Sequence, residues 1–164
     1  MNRILIVGIS GTGKTRLAAQ LSEELNLPVF HLDSIFWKKN WQEEDPAIVE
    51  NSIKDIIDAE TWIMEGYVEP LGCERVAAAD QVIYLDYSGS NALLGGLQRW
   101  KQFRNKKRPE MPEENTESFG FKFLMTLLRR DERPEIEQAI KGEENKVVRL
   151  KTRKQTDRYL SALS

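Results

Sequence analysis

Residues 3–15 read Arg-Ile-Leu-Ile-Val-Gly-Ile-Ser-Gly-Thr-Gly-Lys-Thr, an apolar run that leads into a glycine-rich turn. The β-branched segment Arg3 to Gly8 predicts a short strand buried on both faces. Residues 8–15 match the pattern G-x-x-x-x-G-K-[ST] at every fixed position, and a helical pattern with one apolar side follows. This strand, loop and helix together predict a phosphate-binding loop.

Each part of this loop has a physical role in binding a nucleotide. Gly11 and Gly13 allow backbone angles that turn successive amides toward one anion, and the helix N-terminus adds partial positive charge. Lys14 reaches the β- and γ-phosphates, and the Thr15 hydroxyl is placed to ligate magnesium. We therefore expect ATP, with Mg²⁺, to be bound by the loop residues Gly8, Ser10, Gly11, Thr12, Gly13, Lys14 and Thr15.

The rest of the chain predicts strands that alternate with helices. Further strands are expected at residues 28–32, 61–65, 81–86 and 146–150. A helix from Pro46 to about Ala59 is expected to turn five apolar residues inward: Ile48, Val49, Ile53, Ile56 and Ile57. Two or three helices, broken near Pro109, Pro112 and Pro134, fill residues 91–141, and a short helix closes the chain at 156–163. This alternation predicts one α/β domain over residues 1–164 with a parallel sheet.

Composition excludes several classes of protein. The 164 residues carry 24 basic and 26 acidic side chains, a formal net charge of −2, and the pI near 5.6 argues against a general nucleic-acid binder. The single cysteine, Cys73, excludes a disulfide framework and a cysteine-rich zinc cluster. The single histidine, His31, argues against a histidine-based metal site. No apolar run approaches the roughly 20 residues of a membrane helix. We expect a soluble cytoplasmic protein, a monomer or a homodimer.

A phosphate loop alone does not identify the reaction, because GTPases, oligomeric ATPases and small kinases share it. The chain is short for the additional elements of an oligomeric ATPase. An Asn-Lys-x-Asp guanine motif is missing, since Val147 and Val148 follow Asn145-Lys146. These features favour a small kinase with a mobile lid.

Several further segments carry a family resemblance that covers nearly the whole chain. They are His31-Leu32-Asp33-Ser34-Ile35-Phe36-Trp37, Trp41, Trp62-Ile63-Met64-Glu65-Gly66-Tyr67, Arg99, Arg104 and Arg108-Pro109-Glu110-Met111. With the phosphate loop, they resemble the bacterial DNA topology modulation proteins, which are related to adenylate and shikimate kinases. The resemblance implies a three-layer P-loop fold of nucleoside-phosphate-kinase type, with five parallel strands in the order 2-3-1-4-5 and a helical lid.

Three carboxylates lie at the end of predicted strands or just after one, at the sheet edge where open α/β folds bind ligands. Asp33 either orients or deprotonates an acceptor hydroxyl, as its counterpart in shikimate-type kinases implies, or caps a helix. Glu65 and Asp86 each end an apolar strand and compete for the magnesium-binding role. The resemblance to adenylate kinase relatives favours Glu65, with Asp86 in reserve. His31 is interpreted as structural.

Charge is unevenly distributed along the chain. Six cations lie within residues 99–108, whereas residues 43–60 carry seven acids and one lysine. The basic stretch is a phosphate-binding lid, a nucleic-acid footprint with Trp100 and Phe103 stacking on bases, or a solvated helix face. Its position after the fourth strand, where the kinase relatives carry a lid, favours a lid over about 99–133. We expect the acidic segment to lie remote from the phosphates. We expect the phosphates to be contacted by four arginines: Arg99, Arg104, Arg129 and Arg130.

The sequence thus predicts an ATP- and magnesium-dependent phosphotransferase acting on a small molecule. Two alternatives stay open: a nucleotide-dependent DNA-binding regulator, and a slow ATPase without a metabolite acceptor. The resemblance also implies that residues 150–153, after the fifth strand, hold the adenine. Trp37 and Trp41 are expected either to wall the acceptor pocket or to cover the core.

Overall fold

The structure, a computed structural model, describes residues 2–103 and 121–163. In these ranges five parallel strands form one sheet with the order β2-β3-β1-β4-β5. The predicted α/β fold and its strand order are confirmed. The strands are β1 (Arg3–Gly8), β2 (Val29–His31), β3 (Trp62–Glu65), β4 (Gln81–Leu85) and β5 (Val147–Leu150).

The central strand β1 separates two apolar cores because its side chains alternate between the faces of the sheet. Ile4 and Ile6 pack with residues of the first helix and the last helix on one face. Leu5 and Val7 pack into the core on the opposite face. All four side chains are fully buried, which explains why the strand reads as a continuous apolar run.

Helices cover both faces of the sheet and complete three layers. In the described chain, two long and two short helices precede β4, and the remaining helices follow it. The helices are α1 (Lys14–Leu25), α2 (Leu32–Phe36), α3 (Pro46–Asp58), α4 (Gly72–Ala78), α5 (Gly89–Phe103), α6 (Phe121–Arg129), α7 (Arg133–Ala139) and α8 (Arg153–Ser161). We did not predict α2 and α4, because five and seven residues are too few to show a helical period.

Helix α3 begins as predicted. The Asp45 carboxylate accepts a hydrogen bond from the amide of Ala47 at 2.8 Å, and Pro46 occupies the first turn. The expectation that Ile48 faces inward is wrong, since its side chain is 53% exposed. Ile48 lies about 100° around the helix from Val49, which belongs to the buried stripe.

The segment after β4 differs in detail from the prediction. Helix α5 begins at Gly89, two residues before the predicted start, and α7 has Pro134 in its first turn, so the chain breaks just before that proline. The predicted breaks at Pro109 and Pro112 lie outside the described residues. Helix α8 begins at Arg153, three residues early, because the Thr152 hydroxyl accepts a hydrogen bond from the amide of Gln155 at 3.2 Å.

Within residues 2–103 and 121–163, no helix has both the length and the apolar character needed to cross a lipid bilayer.

Candidate functional site

The phosphate loop connects β1 to α1 at the carboxyl edge of the sheet. Gly13 adopts a φ of 91°, in the left-handed region that favours glycine, and directly precedes the first residue of α1. Gly13, the N-cap residue, has no side chain with which to bond the first amides of this helix. Amides of this type at the start of a 12-residue helix provide an anion-binding site.

Helix α5 lies directly against the loop. A Cβ atom on Gly11 would stand 2.3 Å from the carbonyl oxygen of Ala92, and one on Gly95 would stand 1.9 Å from the carbonyl oxygen of Gly11. Both positions therefore require glycine for this close approach. The sequence analysis did not single out Gly95, because its partner lies 84 positions away and leaves no local pattern.

Two side chains of the loop bind its own backbone. The Lys14 ammonium donates to the carbonyl oxygens of Gly8 at 2.8 Å and of Ile9 at 3.2 Å. The buried Thr12 hydroxyl donates to the same Ile9 carbonyl at 2.8 Å. These bonds hold the loop as a closed turn, with the Lys14 side chain folded along its rim.

A cavity of about 800 Å³ opens over the loop, a volume within the usual range for small-molecule sites. Residues from the phosphate loop and from the carboxyl ends of three strands line it, together with α5 and α8. Those named by the sequence analysis are Ser10, Gly11, Thr12, Gly13, Lys14, Thr15, His31, Asp33, Glu65, Gly66, Tyr67, Arg99, Phe103 and Arg153. Arg153 comes from the region expected to hold adenine.

Glu65 ends β3 and joins the loop to β2. Its carboxylate accepts a hydrogen bond from the Thr15 hydroxyl at 3.1 Å, and the same oxygen lies 2.6 Å from His31 Nδ1. Glu65 is only 4% exposed, yet it lines the cavity. Hydroxyl and carboxylate oxygens are the ligands Mg²⁺ prefers, so Thr15 and Glu65 fit the ion that accompanies ATP.

His31, which the sequence analysis interpreted as structural, contacts Glu65 in the structure. Its contact with Glu65 spans 34 residues, and parallel pairing of β2 with β3 places the two directly opposite each other in the sheet. The sequence signal that could have indicated a place for His31 in the site is its position two residues before Asp33. In the described part of the chain no cluster of three His, Cys, Asp or Glu side chains forms a metal site by itself.

Asp86 follows β4 and has a different environment. Its carboxylate accepts hydrogen bonds from Arg130, from Arg133 Nε at 3.2 Å and from Arg149 Nη1 at 2.9 Å. Arg149 also binds both oxygens of Glu137, at 2.7 and 2.8 Å. Asp86 is 8% exposed and is not among the described residues that line the cavity.

The four predicted lid arginines have different positions. Arg99 lines the cavity, and its guanidinium lies 6.0 Å from the centre of the Phe123 ring. Arg130 binds Asp86, and burial together with the nearby Arg133 charge lowers its pKa. Arg129 is exposed at the end of α6 and does not line the cavity. Arg104 and most of the basic stretch lie outside the described residues.

Asp33 lies inside the first turn of α2, where His31 is the N-cap residue and makes no side-chain cap. Asp33 lines the cavity over the loop and also a second cavity of about 480 Å³. Tyr67, which follows β3, is the other residue that lines both. Trp37 lines the second cavity and packs edge-to-face on Trp41, with ring centres 5.5 Å apart.

Negative charge surrounds Tyr67 at the junction of the two cavities. Its hydroxyl donates a hydrogen bond to Glu135. Burial is the main cause that raises the pKa of Tyr67, followed by this hydrogen bond and by the charges of Glu135, Glu132 and Glu69. The phenol is therefore un-ionised at neutral pH and acts as a hydrogen-bond donor.

Glu132 is a further residue that the sequence analysis missed. Its two carboxylate oxygens accept hydrogen bonds from the Ser10 amide at 3.1 Å and the Ser10 hydroxyl at 2.9 Å. The two residues are 122 positions apart, so no sequence pattern indicated the contact. Glu132, at the end of the predicted lid, thus accepts a hydrogen bond from a backbone amide of the phosphate loop.

Among the solved structures similar to this one are two shikimate kinases and a gluconokinase. A shikimate kinase from Acinetobacter baumannii, in complex with shikimate, matches with a TM-score of 0.59 at 17% identity, over 99% of this chain and 91% of that one. A gluconokinase from Sinorhizobium meliloti matches with a TM-score of 0.57 at 14% identity, over 99% and 93%. A shikimate kinase from Aquifex aeolicus matches with a TM-score of 0.53 at 15% identity, over 98% and 92%.

At these identities the likeness establishes the fold: this chain has the five-stranded P-loop architecture found in shikimate kinase. No protein-family model matches the chain, and no curated protein matches it by sequence. Membership of the DNA topology modulation family is therefore not shown, and the identity of the acceptor rests on the site itself.

Proposed function

We propose that this protein is an ATP-dependent phosphotransferase that transfers the γ-phosphoryl group of ATP to a hydroxyl group of a small molecule. The observation that carries this proposal is the position of Asp33. Asp33 lines both the cavity over the phosphate loop and the adjoining second cavity, so an acceptor bound in the second cavity has this acid at the border of the proposed nucleotide site.

The residues of the first cavity have distinct parts in this reaction. The loop amides and the Lys14 ammonium bind the phosphates, and Arg99 adds positive charge from α5. Thr15 and Glu65 are the residues that would hold Mg²⁺, which offsets phosphate charge when bound. Asp33 orients the acceptor hydroxyl and accepts its proton.

The transfer balances in atoms and charge. The acceptor oxygen forms a bond to the γ-phosphorus, and the bond between that phosphorus and the β–γ bridging oxygen breaks. ADP leaves with the bonding electron pair, and the proton of the hydroxyl passes to Asp33. Water competes with the acceptor for the same phosphorus, so exclusion of water from the site favours transfer over hydrolysis.

Measurement of ADP release over a panel of metabolites tests the proposal. Lys14→Ala should abolish measurable ATP binding and turnover, whereas Lys141→Ala, an exposed lysine outside the cavity, should leave both unchanged. Asp33→Asn should lower the acceptor-stimulated rate by about 100-fold while ATP affinity holds. Unchanged binding and turnover in Lys14→Ala would refute the proposal. ADP release that no acceptor stimulates would instead favour an ATPase.

A further inference from the structure

The second cavity combines apolar walls with carboxylates. Phe36, Trp37, Pro46, Val49 and Pro70 supply the apolar surface. The other lining residues are Tyr67 and five acids: Asp33, Glu43, Glu44, Glu50 and Glu69. Among the described residues that line this cavity there is no lysine, arginine or histidine.

The cations near these acids lie outside the cavity. The Lys38 ammonium binds Glu44 at 2.6 Å, and the Lys54 ammonium lies 4.0 Å from Glu50. Both are exposed pairs, which neutralise a carboxylate only weakly.

Arg75 lies behind the wall of the cavity rather than in it. It is fully buried beneath the loop that carries Glu69, and its Nη1 donates to the carbonyl oxygens of Tyr67 at 2.9 Å and Pro70 at 3.4 Å. Its guanidinium supports this loop and is not offered to a ligand. The charged side chains among the described lining residues of this cavity are therefore all carboxylates.

We infer that the second cavity binds the cationic part of the acceptor, so that the substrate is an amine-bearing alcohol such as an amino-alcohol or an amino-sugar. This inference rests on the proposed phosphotransferase function and names the chemical class of its acceptor. A ligand of this class places its hydroxyl group beside Asp33, at the border of the two cavities, and its ammonium group among Glu43, Glu50 and Glu69.

Two physical effects select a cation here. An ammonium group is attracted to the carboxylates, and the aromatic faces of Trp37 and Phe36 add favourable contact with its charge. An acceptor with a carboxylate or phosphate group meets like charges, and the described lining residues include no cation to compensate them. The acids around Tyr67, which help to raise its pKa, extend the negative region to the junction of the cavities.

Part of the acidic segment lines this second cavity. The turn before α3 and the first part of α3 bring Glu43, Glu44 and Glu50 to it, and it shares two lining residues with the cavity over the phosphate loop. None of the described residues 43–60 lines the cavity over the loop, and their distance from bound phosphates stays a prediction.

The test compares acceptors of similar size that carry a positive, a neutral or a negative group. ADP release is measured with D-glucosamine, D-glucose and D-glucuronate, and with ethanolamine, ethylene glycol and glycolate. The amine of each set should give the largest kcat/KM, by about tenfold over its neutral counterpart, and this preference should weaken as salt is raised. Equal or faster ADP release with the neutral or anionic members would overturn the inference and leave the kinase function standing.

A charge-neutralised variant locates the effect. The double change Glu43→Gln and Glu50→Gln should lower kcat/KM for the amines by about tenfold and leave KM for ATP unchanged. Asp55→Asn, an exposed acid on the same helix outside the cavity, is the matched control and should have no effect. An amine preference that survives the double change would contradict the assignment to this cavity.

Calorimetry decides the question where turnover is slow. The same compounds are titrated into the protein with and without a non-hydrolysable ATP analogue. Amines that bind no more tightly than their neutral counterparts would overturn the inference. Failure to bind the ATP analogue would refute the proposed function separately, because the charge preference is still measured in the titration without nucleotide.

Discussion

Glu65 and Asp86 occupy equivalent places on either side of the phosphate loop but have opposite electrostatic environments. Each follows or ends a strand that pairs with β1, and each is less than a tenth exposed. Three arginines neutralise Asp86, whereas Glu65 binds a hydroxyl and an imidazole nitrogen and lines the cavity. A similar local pattern thus yields one carboxylate paired with arginines and one that lines the cavity over the phosphate loop.

The largest expected effect is on ADP release, which should fall far more in a Glu65 variant than in an Asp86 variant. Glu65→Gln keeps the size of the side chain but removes its charge beside Thr15, so ADP release should fall by about 100-fold. Asp86→Asn should change the turnover of the folded protein by less than about threefold. Steady-state kinetics, with folding checked by circular dichroism, measures both. A larger loss in Asp86→Asn would reverse the assignment of the two acids.

Unfolding free energy should show the reverse order. Asp86→Asn leaves Arg130, Arg133 and Arg149 close together without their shared anion, and should cost about 2 kcal/mol. Urea denaturation measures this loss. Asp131→Asn, an exposed acid next to Arg130, is the control and should stay within about 0.5 kcal/mol of the parent. A loss below about 0.5 kcal/mol in Asp86→Asn would contradict a structural role.

A third variant tests what keeps Glu65 in place. His31→Ala removes the group 2.6 Å from the Glu65 carboxylate and should lower kcat by about tenfold, with a smaller change in KM for ATP. His31→Asn retains a short side chain with an N–H donor and should recover part of the rate. Equal activity of the histidine and alanine forms would show that Thr15 alone positions Glu65.

The smallest effect concerns pH at the arginine cluster around Asp86. The hydrogen bond from Arg149 is the main cause that lowers the pKa of Glu137 below its ordinary value of 4.5, and burial opposes it. A lowered pKa in the folded state adds stability above the ordinary pKa, and this contribution is lost as pH falls toward the lowered value. Urea midpoints between about pH 6 and about pH 3 should therefore fall less in Glu137→Gln than in the parent.

The control for this pH series is Glu24→Gln, an exposed acid on α1 far along the chain from the cluster. Its pH profile should follow that of the parent. An identical profile in Glu137→Gln would show that the pairing of Glu137 with Arg149 is too exposed to affect stability. Both side chains are about one-third exposed, which is why the expected effect is small.

Much of the fold could be predicted because its signals are local. The strand from Arg3 to Gly8, the glycine pattern of the loop and the Asp45-Pro46 helix start each lie within a few consecutive residues. Two errors show the limit of such signals. Ile48 is apolar but lies about 100° around the helix from the buried Val49, and the short helices α2 and α4 have too few residues to show a period.

The candidate site could be predicted only in part. The loop residues and the acids after each strand were identified because a motif or a strand end marks them. The contacts of Ser10 with Glu132 and of Glu65 with His31 join residues 122 and 34 positions apart, so no pattern announced them. The roles of Lys14, Asp33 and Glu65 in phosphoryl transfer are the predictions that the variants above test, and the role of Arg99 is a further prediction.

The sequence by itself determined the phosphate loop, the alternation of strands and helices and, through them, the parallel sheet, because backbone hydrogen bonding and side-chain period act over short stretches of chain. Only the tertiary structure decided which carboxylate is neutralised and which faces the cavity. Asp86 draws its three arginines from 44, 47 and 63 residues away. Charge pairing depends on distance in space, and the fold alone sets that distance.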